Sequence, residues 1–255
     1  MLLIAPANKS FLLLALLVAL SLPATAQYVS PVAQGARSGA LGGSVMSDDT
    51  SRGVALDWRQ GFRLTALADK TIRLQLPTGT TGLVMAAYSH RGDVSYHEQQ
   101  LALGYGIRVS PWLRAAVAAR WLHRGTDDAH YIARQWLAPS ALLQASLKNT
   151  SLTLLAGTRP WDDIRPWRLH LQTAYRPLPQ LLTLAELECE ERTRLRLAME
   201  YIYEDCWMLR AGMATQPVVL TFGLGVHQRH YSVDLAVEMH DALGITPQIS
   251  LVLWF

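Results

Sequence analysis

Apolar and polar residues alternate with a period of two along much of this chain. In 193–203, leucine, methionine and tyrosine fall on one face, and arginine, alanine and glutamate fall on the other. The segments 112–124, 166–176 and 230–240 repeat the pattern. A period of two places successive side chains on opposite faces of a β-strand, whereas a helix would put arginine and leucine on the same side. The pattern therefore predicts strands that have one apolar face and one polar or charged face.

Turn residues separate these segments at regular intervals, which gives about fourteen strands, with twelve as the lower count. We expect an all-β fold, a transmembrane antiparallel β-barrel whose apolar faces meet lipid and whose polar faces line the lumen. A soluble β-sandwich with an aromatic core is the alternative. One or two strands are predicted within 35–66, and the others at 70–76, 82–90, 97–109, 112–124, 139–147, 150–158, 166–176, 181–190, 193–203, 206–214, 217–226, 230–240 and 245–255.

Composition agrees with a barrel. Half of the residues are hydrophobic and the mean hydropathy is +0.12, yet no run of about eighteen apolar residues follows the amino-terminal segment. The net charge of +3 is dispersed along the chain, so nucleic-acid binding is not indicated. The aromatic residues of the apolar faces suit the girdles at the two membrane interfaces.

The first 26 residues have the features of a cleaved signal peptide. Lys9 precedes the apolar run 11–22, Pro23 ends that run, and Ala24-Thr25-Ala26 matches a cleavage site. We expect export from the cytoplasm and a single barrel domain over 27–255.

The predicted strands also assign the connections to the two ends of the barrel. Tight connections at 110–111, 148–149 and 177–179 fall on one side, and longer ones at 125–138 and 160–165 fall on the other. Cys189 and Cys206 then lie near opposite ends of the barrel, too far apart for a disulfide. Both thiols are predicted to be free.

Acidic and basic residues face each other on the inward sides of neighbouring strands. Opposite charges in cross-strand positions attract, and arginine can bind a carboxylate with two hydrogen bonds. This predicts a structural lumen network, with a pore lining or a polar ligand site as the alternative; replacing Arg194 and Arg196 with glutamate would then change ion selectivity. Its predicted members are Arg168, His170, Arg176, Glu186, Glu188, Glu190, Arg194, Arg196, Glu200, Arg210, Asp234, Glu238 and His240.

No catalytic, cofactor or metal site is predicted. Ser232, Asp234 and His240 lie on one strand, where residues two apart are about 7 Å from each other, so they do not converge as a catalytic triad requires. His123 and His130 lie in or beside a predicted loop with Asp127 and Asp128, and surface polarity accounts for them.

The closing segment ITPQISLVLWF resembles the last strand of bacterial outer-membrane barrels, because Ile249, Leu251, Leu253 and Phe255 share a face.

The segment GARSGALGGSVMSDD at 35–49 resembles the amino-terminal part of barrels related to the long-chain fatty-acid transporter, particularly the Bacteroidetes branch with the type IX secretion accessory barrels. The hairpin 240–251 is similar to the final hairpin of that branch. At 50–61 the chain departs from that family's Asn-Pro-Ala-Gly-like motif, so an inward-folded amino-terminal segment does not follow from the resemblance alone. The glycines at 35, 39, 42 and 43 nevertheless suit close packing against a barrel wall.

The resemblance implies a non-enzymatic barrel in the outer membrane of a Gram-negative bacterium. It implies transport of small or hydrophobic solutes, or a secretion-accessory role. The alternative is a docking barrel with a closed, salt-bridged lumen that binds other envelope proteins. The implied partners are outer-membrane lipid, the barrel-assembly machinery acting on the strand that ends at Phe255, and other envelope or secretion proteins.

Overall fold

The structure, a computed structural model, describes residues 35–41, 52–93, 96–126, 133–158, 167–189 and 193–255. The predicted signal peptide, the glycines at 42 and 43, and Glu190 lie outside these residues. A short helix α1 spans Ala36–Ala40 and single 3₁₀ turns span Gly61–Arg63 and Thr65–Leu67. The strands are β1 Gly53–Gln60, β2 Ala68–Thr78, β3 Gly82–Gly92, β4 Tyr96–Ser110, β5 Leu113–Thr126, β6 Arg134–Leu147, β7 Thr150–Thr158, β8 Trp167–Leu178, β9 Leu181–Cys189, β10 Thr193–Tyr203, β11 Trp207–Ala214, β12 Val219–His227, β13 Tyr231–His240 and β14 Gly244–Trp254.

The fourteen strands form one closed antiparallel barrel. Each strand pairs with the next along the chain, and β1 pairs with β14 to close the sheet, from Gly53 opposite Trp254 to Arg59 opposite Gln248. Closure leaves no strand edge unpaired, which a sheet in a membrane requires. The predicted fold class is confirmed, and so is the strand number.

The apolar faces point outward, as the alternation predicts. Leu137 is 64% exposed and Trp167 is 70% exposed, although both are large apolar side chains. A soluble sandwich would bury these side chains, so that alternative is excluded. The predicted girdle aromatics are also exposed on this outer surface: Trp112, Trp121, Trp167, Trp207, Tyr175, Tyr201 and Tyr203. None of the helices within the described ranges is long and apolar enough to cross a membrane.

The two ends of the barrel differ in their connections. At the end that we call the turn end, strands are joined by two or three residues, at 79–81, 111–112, 148–149, 179–180, 204–206 and 228–230. Both termini of the barrel, Gly53 and Trp254, lie at this end. The opposite end, the loop end, carries the longer connections, including 127–133 and 159–166.

The predicted free cysteines are confirmed. Cys189 pairs with Thr193 at the loop end, and Cys206 follows Tyr203 at the turn end, with the full length of β10 between them. Both thiols are free.

The predicted connections 125–138 and 177–179 were wrong in extent. Strand β6 begins at Arg134, and its first part pairs with β5, with Trp136 opposite Leu122 and Ala138 opposite Arg120. Pro139, at which the predicted strand begins, therefore lies inside β6, where it pairs with Ala119 of β5. Strand β8 likewise continues through Pro177, with a register shift between Tyr175 and Leu178.

Helix α1 lies inside the barrel against the wall. The amide of Ala36 donates to Ser250 Oγ at 2.6 Å, and Thr221 Oγ1 donates to the carbonyl of Ala40 at 2.7 Å. A Cβ atom at Gly39 would collide with the side chain of Gln248, and one at Gly223 would collide with Ala40. The predicted close packing of the glycines at 35 and 39 is therefore confirmed, whereas 42 and 43 lie outside the described residues.

Candidate functional site: the barrel lumen

The inward side chains form two walls of different chemistry. We call the inward faces of β8–β14, β1 and β2 the ion-pair wall, and the cluster of buried apolar side chains on β3–β7 the apolar wall. Nearer the loop end, β3, β4 and β5 also carry ion pairs, in which Arg91 and Arg124 face Glu98. In both walls, burial follows from the alternation, because every second residue of each strand points into the lumen.

On β9 and β10, two glutamates share the guanidinium of Arg196. Arg196 donates to Glu186 Oε1 at 2.5 Å and to Glu188 Oε2 at 2.6 Å. Arg194 donates to Glu188 at 3.4 Å and to the carbonyl of Gln216 at 3.0 Å. Because Arg196 stands directly opposite Glu186 in the register, neighbouring strands hold this group together.

His170 on β8 extends the same group. Its Nδ1 lies 2.9 Å from Glu186 Oε1, and its Nε2 lies 3.5 Å from Glu188 Oε1. Gln172 donates to Glu186 at 3.4 Å. Glu186 is 1% exposed, so its carboxylate obtains from protein donors the hydrogen bonds that water cannot supply.

Arg210 on β11 is the centre of a second group. It donates to Glu200 Oε2 at 2.7 Å and to Asp234 Oδ1 at 2.6 Å, and all three side chains are buried. Gly225 on β12 stands directly opposite Asp234, and a Cβ atom there would collide with Asp234 and with the guanidinium of Arg210. The absence of a side chain on β12 thus lets the ion pair span two strand spacings.

Helix α1 joins this second group through Arg37. Its guanidinium donates to both oxygens of Glu200, at 2.8 and 2.6 Å. Glu200 thereby accepts hydrogen bonds from two arginines, one on the wall and one on the helix. The arrangement fastens α1 to the ion-pair wall.

The structure adds members on β1 and β2 that the sequence analysis did not propose. Asp57 accepts two hydrogen bonds from Arg73, at 2.6 and 2.9 Å, and a third from the hydroxyl of Ser250. Arg59 donates to Glu238 at 2.7 Å, near the loop end. Alternation in 53–60 is the signal that could have found Asp57 and Arg59, because their apolar neighbours point the other way.

Three predicted members make other contacts. Arg176 donates to the carbonyl of Pro179 at 3.2 Å. His240 accepts hydrogen bonds from the amides of Ala242 and Leu243, both at 3.2 Å, and so caps the turn before β14. Arg168 lies two residues before His170 on the same face, beside Arg120 of the apolar wall.

The apolar wall is a contiguous cluster on five neighbouring strands. None of its members is more than 7% exposed, and half of them are alanines. Its residues are Leu83, Met85, Ala87, Ala102, Ala116, Ala118, Leu142 and Leu155. The alternation predicted over 112–124 puts Ala116 and Ala118 on the inward face with the arginines of that strand, but local alternation does not reveal that inward apolar residues of five strands are adjacent.

A cavity of about 330 Å³ lies between α1 and the turn end. Its lining includes four arginines, at positions 37, 73, 176 and 210, together with Glu200 and Asp234. In the described part of the chain, no group of three or more histidine, cysteine, aspartate or glutamate side chains could hold a metal ion. Ser232 donates to Asp234 at 3.3 Å, and His240 lies at the loop end, so these three residues do not converge.

Comparison with known proteins gives a likeness in fold. No family model matches the sequence, and no curated protein matches it. The outer-membrane protein Omp33 of Acinetobacter baumannii is similar in structure, with a TM-score of 0.58, 11% identity, and coverage of 81% of this chain and 98% of that one. The monoaromatic hydrocarbon channel CymD is also similar, with a TM-score of 0.60, 11% identity, and coverage of 90% of this chain and 99% of that one. At these identities the likeness concerns the barrel fold.

Proposed function

We propose that this chain is a non-enzymatic outer-membrane channel for small solutes. The observation that carries the proposal is a closed barrel of fourteen strands whose lumen has an apolar wall and an ion-pair wall. Eight-stranded barrels are just filled by their own side chains, and the interior widens with strand number. Apart from the pair that Arg37 of α1 forms with Glu200, the ion pairs join side chains of neighbouring or next-neighbouring strands, so they run along the wall and leave interior space for a solute.

Small hydrophobic or amphipathic solutes are the proposed class, because apolar side chains share the lining of the 330 Å³ cavity with the charged ones. Those apolar residues include Val54, Ile202, Met208, Val252 and Trp254. The similar structure CymD is a monoaromatic hydrocarbon channel, which agrees with this solute class.

Insertion in the outer membrane of a Gram-negative bacterium is part of the proposal. The exposed leucine and aromatic side chains give the barrel the outer surface that lipid requires. Phe255 is 70% exposed beside the closing strand pair, where the barrel-assembly machinery would contact it. The signal peptide over 1–26 supplies the route of export.

A docking role is the second candidate, and α1 favours it. Arg37 and Ser250 hold the segment 35–41 in the lumen, which narrows the passage. The same segment carries the resemblance to the Bacteroidetes barrels that assist type IX secretion. In that case the barrel binds other envelope or secretion proteins and conducts poorly.

Single-channel recording distinguishes the two candidates. Refolded protein would be inserted in a planar bilayer, and folding would be verified beforehand from its resistance to trypsin and its β-sheet circular dichroism. We expect stepwise conductance. A parallel liposome-swelling assay with benzene derivatives and with sugars of similar size should show faster entry of the aromatic compounds. A folded protein that neither conducts nor admits these solutes would overturn the channel and favour docking.

A further inference from the structure

Three hydrogen-bond donors surround Ala138 on the inward face of β6. Trp136 precedes Ala138 by two residues, Ser140 follows it by two, and Arg120 stands directly opposite it on β5. Inward residues two apart on a strand are about 7 Å from each other, and cross-strand partners are about 5 Å apart. The indole N–H, the hydroxyl and the guanidinium therefore border one small area of wall, where Ala138 contributes only a methyl group and is itself fully buried.

These donors have no partner in the described part of the chain. The buried atoms Trp136 Nε1, Ser140 Oγ, Arg120 Nε and Arg120 Nη2 make no hydrogen bond. Arg120 contrasts with Arg196 and Arg210, each of which binds two carboxylates. Buried polar groups are normally paired, and a charged group left unpaired is the costliest exception. The unused donors therefore point to a partner from outside the chain.

The chemistry of the donors defines that partner. An indole N–H and a guanidinium can only donate, and a hydroxyl can donate as well. A ligand that satisfies all three must supply acceptor oxygens, and the guanidinium favours one with a negative charge. Arg120 also lies close enough to Arg168 for the two positive charges to repel, and an anion beside them would relieve that repulsion.

We propose that Arg120, Trp136 and Ser140 form a binding site for a small oxyanion, a carboxylate or a tetrahedral anion such as phosphate or sulfate, on the lumen wall around Ala138. The flexible arm of Arg120 allows its N–H groups to turn toward an anion that enters from the loop end. The site is separate from the ion-pair wall and lies at the loop-end border of the apolar wall, since Ala102 and Ala118 flank Arg120.

Calorimetric titration of the folded, full-length protein in detergent tests the site. Acetate, phosphate and sulfate would each be added at constant ionic strength, with chloride as the reference anion. We expect saturable binding of at least one oxyanion; acetate alone indicates a planar carboxylate site, and phosphate or sulfate indicates a tetrahedral one. Arg120→Gln should weaken this binding by at least about tenfold, because it removes the charged donors. Arg134→Gln, which removes an exposed arginine from the same end of β6, is the matched control and should change it by less than about twofold.

Equal affinities in the wild type, Arg120→Gln and Arg134→Gln, or no saturable binding to the wild type, would overturn the proposal. If Arg120→Gln does not fold, Trp136→Phe decides, because it keeps the aromatic ring and removes only the N–H. The expected loss is then about fivefold, the value of one neutral hydrogen bond. The titration measures equilibrium binding without ion flow, so its failure and a failure of the channel proposal are distinguishable.

Discussion

The two walls of the lumen bury their side chains by different physical means. The apolar wall combines alanines with a few large residues, and each contact there contributes a small, non-directional amount. The ion-pair wall buries Glu186, Glu200 and Arg210 almost completely, so every charge depends on a specific partner. Losing one partner leaves an uncompensated charge, whereas losing one methyl group leaves only a void. The ion-pair wall should therefore be the more sensitive of the two.

The largest effect is expected for Arg210→Met. Methionine has a similar length but cannot donate to Glu200 or to Asp234, so the substitution leaves Asp234 without the arginine partner that the structure gives it. The expected loss is about 3–5 kcal/mol in the free energy of unfolding. The measurement is guanidinium-induced unfolding in lipid vesicles, followed by tryptophan fluorescence.

Arg108→Met is the control for that change, because Arg108 is exposed near the turn end and lies outside both groups of ion pairs. Its expected effect is below about 0.5 kcal/mol. Combining Arg210→Met with Asp234→Asn should lower the free energy of unfolding by less than the sum of the two single changes. The reason is that Asp234→Asn neutralises the carboxylate that Arg210→Met leaves without its arginine partner. Strict additivity would contradict a direct interaction between these two side chains.

The second-largest effect is expected for Leu142→Ala in the apolar wall. Leu142 is 2% exposed among the cluster residues, so truncation removes buried surface and leaves a cavity, at a cost of about 2–4 kcal/mol. Leu143→Ala is a control on the same strand, since Leu143 is 51% exposed on the outer face, where lipid chains can fill the space. Unfolding in the same vesicles compares the two. Equal losses would mean that Leu142 does not pack in a closed cluster.

Much of the barrel could be predicted from the sequence because one physical rule acts on every strand. The alternation that lipid and lumen impose on 193–203 already placed Arg194, Arg196 and Glu200 on the inward face, where the structure has them. The rule was not carried far enough toward the start of β6, because the predicted strand begins at 139 and the observed strand begins at Arg134. It was also not applied to 53–60, so that Asp57 and Arg59 were missed.

Contacts between distant parts of the chain could not be predicted from local alternation. Arg37 and Glu200 are separated by 163 positions, and nothing in either segment specifies that they pair. The donors around Ala138 were hidden for a related reason, because a missing partner is recognisable only when all neighbouring strands are in place. His240 was assigned to the network from its face alone, but its position at the strand end brings the turn amides closer to it than any carboxylate.

A smaller effect is expected when α1 is pushed from the wall. Gly39→Leu places a side chain where Gln248 lies, so α1 must shift, and we expect a loss of about 1–2 kcal/mol. The shift should expose the bond after Arg37 to trypsin, which mass spectrometry of the folded protein detects, and should raise the conductance of the channel. Gly79→Asn is the control: Gly79 has φ +62° in a turn with free space around it, and asparagine tolerates that conformation. Unchanged cleavage and conductance in Gly39→Leu would mean that α1 does not restrict the lumen.

The smallest effect is expected for Arg59→Met, which tests whether burial or charge decides the sensitivity of the ion-pair wall. The Arg59–Glu238 distance of 2.7 Å equals the Arg210–Glu200 distance, but the Arg59 side chain is 44% exposed and that of Arg210 is 1% exposed. Water can replace Arg59 as a partner of Glu238, and Gln248 donates to the same carboxylate. The expected loss is therefore below about 1 kcal/mol in the vesicle unfolding measurement. If Arg59→Met were as damaging as Arg210→Met, the ion-pair wall would depend on charge pairing regardless of burial, and its contrast with the apolar wall would need another explanation.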